Sequence, residues 1–177
     1  MVASGAAYGI RRTNVPEADV RGFYRQIGEG RSHGLELEFA GRLAAGWFVQ
    51  GAYAWTDTEI ARSLIGGVGN KLPNAPPHTA SAWTRYRMTE GRLAGLMIAA
   101  GVVHVSDRFM SSDNVTIAPA YTRLDLSGSY ELTKRRLRFA LAIPNVTNRR
   151  YVTSGTSQVL WSGQPRGLVA QVTTWFQ

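Results

Sequence analysis

The chain has 177 residues, 44% apolar and 18% charged, with 20 basic against 12 acidic side chains and 19 glycines. The length suits one domain, and 18 aromatic residues spread along it supply apolar surface to bury, which excludes a disordered chain. With no cysteine, disulfides, thiolate metal sites and thiol nucleophiles are excluded. No apolar run reaches the ~20 residues of a spanning helix, the longest being 93–106.

The net charge of +8 first suggests nucleic acid or an anionic surface. The distribution argues against nucleic acid. Eighteen of the twenty cations are arginines scattered from Arg11 to Arg166, and the one dense run is Lys134-Arg135-Arg136 with Arg138. The first residues lack the basic start and apolar stretch of a signal peptide.

Taken in order, the chain alternates with a period of two, the signature of strands whose successive side chains point to opposite faces. A first strand is predicted at 3–12, followed by a loop near 14–22. A long second strand, 23–43, sets Leu35, Leu37 and Phe39 against Glu36, Glu38 and Ala40. After the short Ala44-Ala45-Gly46 turn, strand 47–60 carries Trp47, Val49, Gly51, Tyr53 and Trp55 on one side. A long connection at 61–77 leads to strand 78–88, with Ala80, Ala82, Thr84, Tyr86 and Met88 opposite Thr79, Ser81, Trp83, Arg85 and Arg87. A tight turn at 89–92 precedes strand 93–107, whose two faces are both apolar or small.

Beyond a loop near 108–120, strand 120–132 separates most cleanly. Tyr121, Arg123, Asp125, Ser127, Ser129 and Glu131 form one face, and Thr122, Leu124, Leu126, Gly128, Tyr130 and Leu132 the other. A tight basic turn at 133–136, strand 137–146, a loop at 147–165 and strand 166–177 complete the series. Pro144 removes a ladder donor and marks a bulge or strand end.

Short and long connections thus alternate strictly, which in an up-and-down sheet collects all tight turns at one end. Outer-membrane barrels have this asymmetry, with an apolar outer face bounded by aromatic girdles. Trp47, Tyr86, Tyr130 and Phe176 lie at the short-turn ends, and Tyr53 and Trp55 toward the long loops. The fold class expected is therefore all-β, an antiparallel up-and-down transmembrane β-barrel segment of about eight strands. Two other architectures share the alternation: a soluble sandwich or lipocalin-like carrier with its apolar face inward, and an autonomous, closed eight-stranded outer-membrane barrel with a structural or binding role.

Several segments resemble signatures of TonB-dependent siderophore receptors. Gln26-Ile27-Gly28-Glu29-Gly30-Arg31-Ser32-His33-Gly34-Leu35-Glu36-Leu37-Glu38 is similar to that family's GE-x-R-S-x-G-x-E-x-E segment. Leu72 to Ser81 resembles its loop-to-strand return, and Pro119 to Asp125 its P-x-Y-x-x-x-D strand entry. Asn145-Val146-Thr147-Asn148-Arg149-Arg150-Tyr151 resembles N-L-x-(D/N)-K-x-Y, and Gly163-Gln164-Pro165-Arg166 resembles G-x-P-R. They occur in family order over about residues 8–177. Two departures stand out: Gln177 follows the aromatic Phe176 on which such barrels usually end, and Ala142 stands where the family tends to have asparagine.

The resemblance implies a partial barrel domain over 1–177, the C-terminal part of a barrel of about 22 strands. The plug that fills such a lumen, the TonB-contacting segment and the first strands would then lie outside this sequence. It further implies a location in the outer membrane of a Gram-negative bacterium and transport of ferric siderophores as cargo. The implied partners are outer-membrane lipid, the siderophore, and the TonB machinery acting through the plug. No enzyme activity and no resident cofactor are expected.

Candidate sites follow from position. His104, Arg108, Tyr121 and Arg123 are expected to face the lumen near the extracellular end, where arginine forks suit the carboxylate and catecholate oxygens of an iron chelate. His33, His78 and His104 sit on different strands without metal-ligand spacing, so no metal site is expected. Asp57 and Glu59 read as loop acids, and Gly66 to Lys71 as a loop tip lacking the Gly-Lys-Ser/Thr end of a phosphate loop. Lys134, Arg135 and Arg136 read as a solvated periplasmic turn.

Overall fold

The computed structural model describes residues 1–18, 24–156 and 158–176. Its strands in chain order are β1 (Val2–Ala18), β2 (Tyr24–Ala44), β3 (Trp47–Arg62), β4 (His78–Arg87), β5 (Leu96–Val105), β6 (Arg108–Phe109), β7 (Ile117–Ala118), β8 (Tyr121–Leu132), β9 (Leu137–Ile143), β10 (Val152–Gly155), β11 (Leu160–Ser162) and β12 (Val169–Thr174). Eight form one antiparallel sheet in the order β1-β2-β3-β4-β5-β8-β9-β12, while β6-β7 and β10-β11 are small hairpins within the long loops.

The eight predicted strands are thus present, with four boundary corrections, the closing strand expected at 166–177 being confined to Val169–Thr174. β1 runs on beyond Arg12 to Ala18 against the start of β2, past a register shift at 12–15 where Asn14 takes φ 57°. Most of the loop expected at 14–22 is therefore strand, and its remainder, 19–22, lies outside the described residues. β5 starts at Leu96 because Gly91 and Gly95 adopt φ of 77° and 93° in a wider turn. β9 stops at Ile143, immediately before Pro144, as a residue without an amide proton dictates. The two loop hairpins carry no long alternation and were not foreseen.

The short turns are built as expected. At Gly46, φ is 75°, and a Cβ would lie 2.2 Å from the Arg87 carbonyl oxygen, so a side chain is excluded where β2 turns into β3 beside β4. Between β8 and β9 a single 3₁₀ turn, Thr133–Arg135, leaves Lys134 and Arg135 exposed.

Register assigns every side chain to a face. Tyr53 pairs with Leu37 and Ala80, and Leu124 with Val102, which places them together on one surface. That surface is the greasy one, and it is uncovered: Leu37 is 56% exposed, Ile98 52%, Leu126 44% and Leu141 45%. The other surface carries Glu36, Glu38, Trp83, Arg85, Arg123 and Asp125, and the long loops fold against its upper part, so that Asp125 is 9% exposed. A water-soluble sandwich or lipocalin buries its apolar face; here that face is the bare one. Trp47, the first residue of β3, and Trp55, at its middle, are about 26 Å apart at ~3.3 Å per residue, or roughly 20 Å at a ~40° tilt. This approaches the apolar band of an outer-membrane barrel.

Among the described residues, β1 pairs with β2 alone and β12 with β9 alone, so the sheet does not close on itself. The autonomous eight-stranded barrel is thereby corrected. The sheet is a piece of wall from something wider.

On the inner face, Trp83 lies flat over Gly101, where an added Cβ would come within 2.3 Å of the indole. Gly101→Val is expected to lower stability by about 1–3 kcal/mol through overpacking. Denaturant unfolding in micelles should read this as a reduced midpoint, partly restored by adding Trp83→Ala.

Candidate functional site

The loops at one end of the sheet converge on a few polar side chains. Asp125, fifth residue of β8, points inward and receives Arg123: Nε and Nη2 donate to Oδ2 at 3.1 and 2.9 Å. Its other oxygen, Oδ1, accepts from the backbone N–H of Asn145 at 2.7 Å. Asn145 is fully buried with φ 52°, a left-handed conformation that asparagine tolerates. Its amide nitrogen donates to the carbonyls of Arg149 (2.9 Å) and Gln164 (3.0 Å), and its Oδ1 accepts from the Arg149 N–H at 2.8 Å. One side chain therefore ties β9 to both ends of the loop that follows.

Arg123 continues the network by donating from Nη1 to the Tyr151 hydroxyl at 3.2 Å. Tyr151 stacks on Tyr121 with ring centroids 4.4 Å apart, and its ring occupies the space above Gly163, where a Cβ would sit 2.1 Å away. Three of the sequence signatures, 119–125, 145–151 and 163–166, thus meet in one latch. The latch brings a carboxylate, a left-handed asparagine, a tyrosine and a glycine together.

A second set of bonds stitches the three long loops together. Asn74 donates from Nδ2 to the Gly155 carbonyl at 2.9 Å and accepts the Gly155 N–H at 3.3 Å, copying a β-bridge with a side chain. Asn114 does the same to Lys71, accepting its N–H at 2.7 Å and donating to its carbonyl at 3.0 Å. Lys71 also forms an ion pair with Asp57. Asp113, in the exposed loop, accepts from the Ser111 hydroxyl and the Val115 N–H, which hold its carboxyl below the usual range.

The four residues expected at the lumen divide. Tyr121 and Arg123 face inward, inside the latch. Arg108 is 5% exposed, with Nη2 donating to the carbonyls of Val152 (2.9 Å) and Thr153 (2.8 Å). It is a strap between two loops, turned away from open space. His104 is a correction: it pairs with Thr122 and Ala80 on the outer, apolar surface, and its Nδ1 lies 2.9 Å from the Thr122 hydroxyl. The both-sides-apolar character of β5 hid its phase. His78 and His33 share that outer surface, His78 Nδ1 2.8 Å from the Tyr53 hydroxyl and His33 edge-on to Trp55. The three histidines belong to the upper aromatic boundary.

Asp125, Asn145, Gly163 and Asn74 were missed as functional positions. The signal available was asparagine within Gly/Pro-rich loops, where φ is positive at Asn74, Asn114, Asn145 and Asn148.

With this geometry in place, comparison with known proteins is decisive. Residues 1–148 match the family model described as TonB dependent receptor-like, beta-barrel. The chain belongs to this family. It is 34% identical over 173 residues to the metal-pseudopaline receptor CntO of Pseudomonas aeruginosa, covering 95% of this chain and 24% of that one. It is 32% identical over 175 residues to the ferrioxamine B receptor of Salmonella typhimurium, covering 96% and 25%. The sheet superposes on the ferric yersiniabactin uptake receptor FyuA of Yersinia pestis with a TM-score of 0.86 at 21% identity, covering 98% of this chain and 27% of that one. The chain therefore spans about a quarter of the length of these relatives. As part of a TonB-dependent receptor barrel, it is a wall segment of an outer-membrane protein.

Asn145→Ala would leave Arg149 N–H and two carbonyls without partners in a buried site. A loss of about 2–4 kcal/mol is expected, with the loop at 147–165 exchanging amide hydrogens faster and becoming open to proteolysis while β2–β4 keep their protection.

Proposed function

We propose that this chain forms the closing part of the wall, and three outer loops, of a receptor that brings ferric siderophores across the outer membrane. Energy would come from the TonB machinery acting on a plug inside the lumen. In this reading the protein is a transporter component and performs no catalysis, and the iron chelate is cargo. The observation that carries it is sidedness: an apolar surface left bare, a polar surface sheltered, and both edge strands open toward a wider barrel. Relatives named for metal-pseudopaline and ferrioxamine B support the cargo class.

Within this function the latch has a mechanical task. Tyr121 and Arg123 hold the root of one loop against the wall, and Arg108 straps two loops together. They act on the chelate by positioning the loop surfaces that face it, since ordered loops lose less conformational entropy on binding.

The test is uptake of radioactive iron under iron limitation with a panel of ferric siderophores that includes ferrioxamine B. Deleting the gene should abolish uptake of at least one chelate, and removing TonB should abolish the same uptake. Arg123→Ala should reduce it about tenfold through binding, with the barrel still assembled. Uptake of every chelate unchanged by the gene deletion would overturn the reading.

A further inference from the structure

The bare apolar surface is not uniform. Toward the short-turn end, small residues on neighbouring strands, Ala100 on β5 and Gly128 on β8, form the floor of a groove of about 600 Å³. Trp47 and Tyr86 make one rim, and Leu126 and Leu141 the other. The volume falls within the roughly 300–1,000 Å³ of sites that hold small molecules. The first rim is preorganised, because the Trp47 indole N–H donates to the Thr84 hydroxyl at 2.7 Å across β3 and β4. Beyond the lower end of the groove, the tight turns of the same strands carry exposed Arg92, Lys134 and Arg135 against the single acid Glu90.

We propose that this groove holds one acyl chain of an anionic glycerophospholipid of the inner leaflet, with its phosphate at the cationic turns. The inference rests on the reading that this surface meets lipid, and adds a specific bound lipid to it. Three features favour a lipid over a protein partner: the lining is apolar, the nearby turns are cationic, and the aromatic rim lies at the level of the membrane boundary. Trp and Tyr favour that level, and basic side chains near it attract anionic headgroups. Without the floor of small residues, an acyl chain would slide over a flat wall as bulk lipid does.

Gly128 makes the idea testable. A Cβ there would meet only the Met97 carbonyl oxygen, at an ordinary 3.5 Å, so a larger residue fits the fold while filling the groove. The protein, extracted from outer membranes in mild detergent, is examined by native mass spectrometry with added phosphatidylglycerol or phosphatidylcholine. The wild type is expected to retain one phosphatidylglycerol per chain. Gly128→Leu, and independently Ala100→Leu, should weaken retention about tenfold, the equivalent of roughly two methylenes turned out of the groove. Lys134→Gln with Arg135→Gln should abolish the preference for phosphatidylglycerol over phosphatidylcholine.

Equal retention of the two lipids by the wild type, or wild-type retention by both groove-filling variants, would overturn the proposal. A spin label at Leu35, on the same surface but outside the groove, separates the two levels of the reading. Acyl-chain contact there with no lipid in the groove sinks the groove alone, whereas loss of that contact sinks the lipid-facing surface as well.

Discussion

In hydrocarbon, a backbone N–H or C=O without a partner costs several kcal/mol, and a sheet can satisfy all of them only through its neighbours. Everything else in this chain is arranged around that requirement. β2 to β5 and β8 pair without a shift from the level of Phe48 to that of Trp55, β9 and β12 continue the sheet over shorter ladders, and the irregularities lie at or beyond these limits: the shifts at 12–15, 29–30 and 42–44, the loop hairpins and the prolines of the 72–77 return. The open edges of β1 and β12 obey the same rule. In lipid their unpaired groups demand further strands, which is why the sheet makes physical sense only as part of a larger barrel.

Side-chain alternation then divides function between the two surfaces. The outer surface contributes solvation in lipid, ended by Trp47 and Tyr86 below and by Tyr53, Trp55 and the three histidines above. The inner surface is where charge can be kept. Arg87 reaches Glu131 across strands at 2.9 Å, and the buried Asp125 is held by Arg123 and by a backbone donor, so this sheltered carboxylate is fully paired. A buried carboxylate missing either partner would cost more than the latch contributes. The loops are kept in place by asparagine side chains that imitate backbone and by a small apolar core of their own, in which Met110, Ala118 and Tyr151 are buried.

Strand count, phase and sidedness were legible in the sequence because period two is a local property. Thr122 to Leu132 states its faces outright, and Pro144 announces the end of β9. What escaped was non-local. Residues such as Asn74 and Gly155 are far apart in the chain, and no periodicity links them. Arg108 and His104 were misplaced for different reasons. Position near a loop root said nothing of the carbonyls that would capture the guanidinium, and a strand with two apolar faces gives no phase to read. The resemblance motifs marked the correct residues, yet their shared reason, the latch at Asn145, emerged only when the loops were seen folded together.

Because the chain lacks cysteine, single cysteines can be introduced and spin-labelled one at a time from Thr122 to Ser129 in protein embedded in vesicles. Relaxation by oxygen, which concentrates in hydrocarbon, is compared with relaxation by a water-borne nickel chelate. The account predicts oxygen-dominated labels at 122, 124, 126 and 128, with their neighbours responding to nickel where they are reached at all. Nickel-dominated labels at 124 and 126, or a profile without alternation, would contradict it.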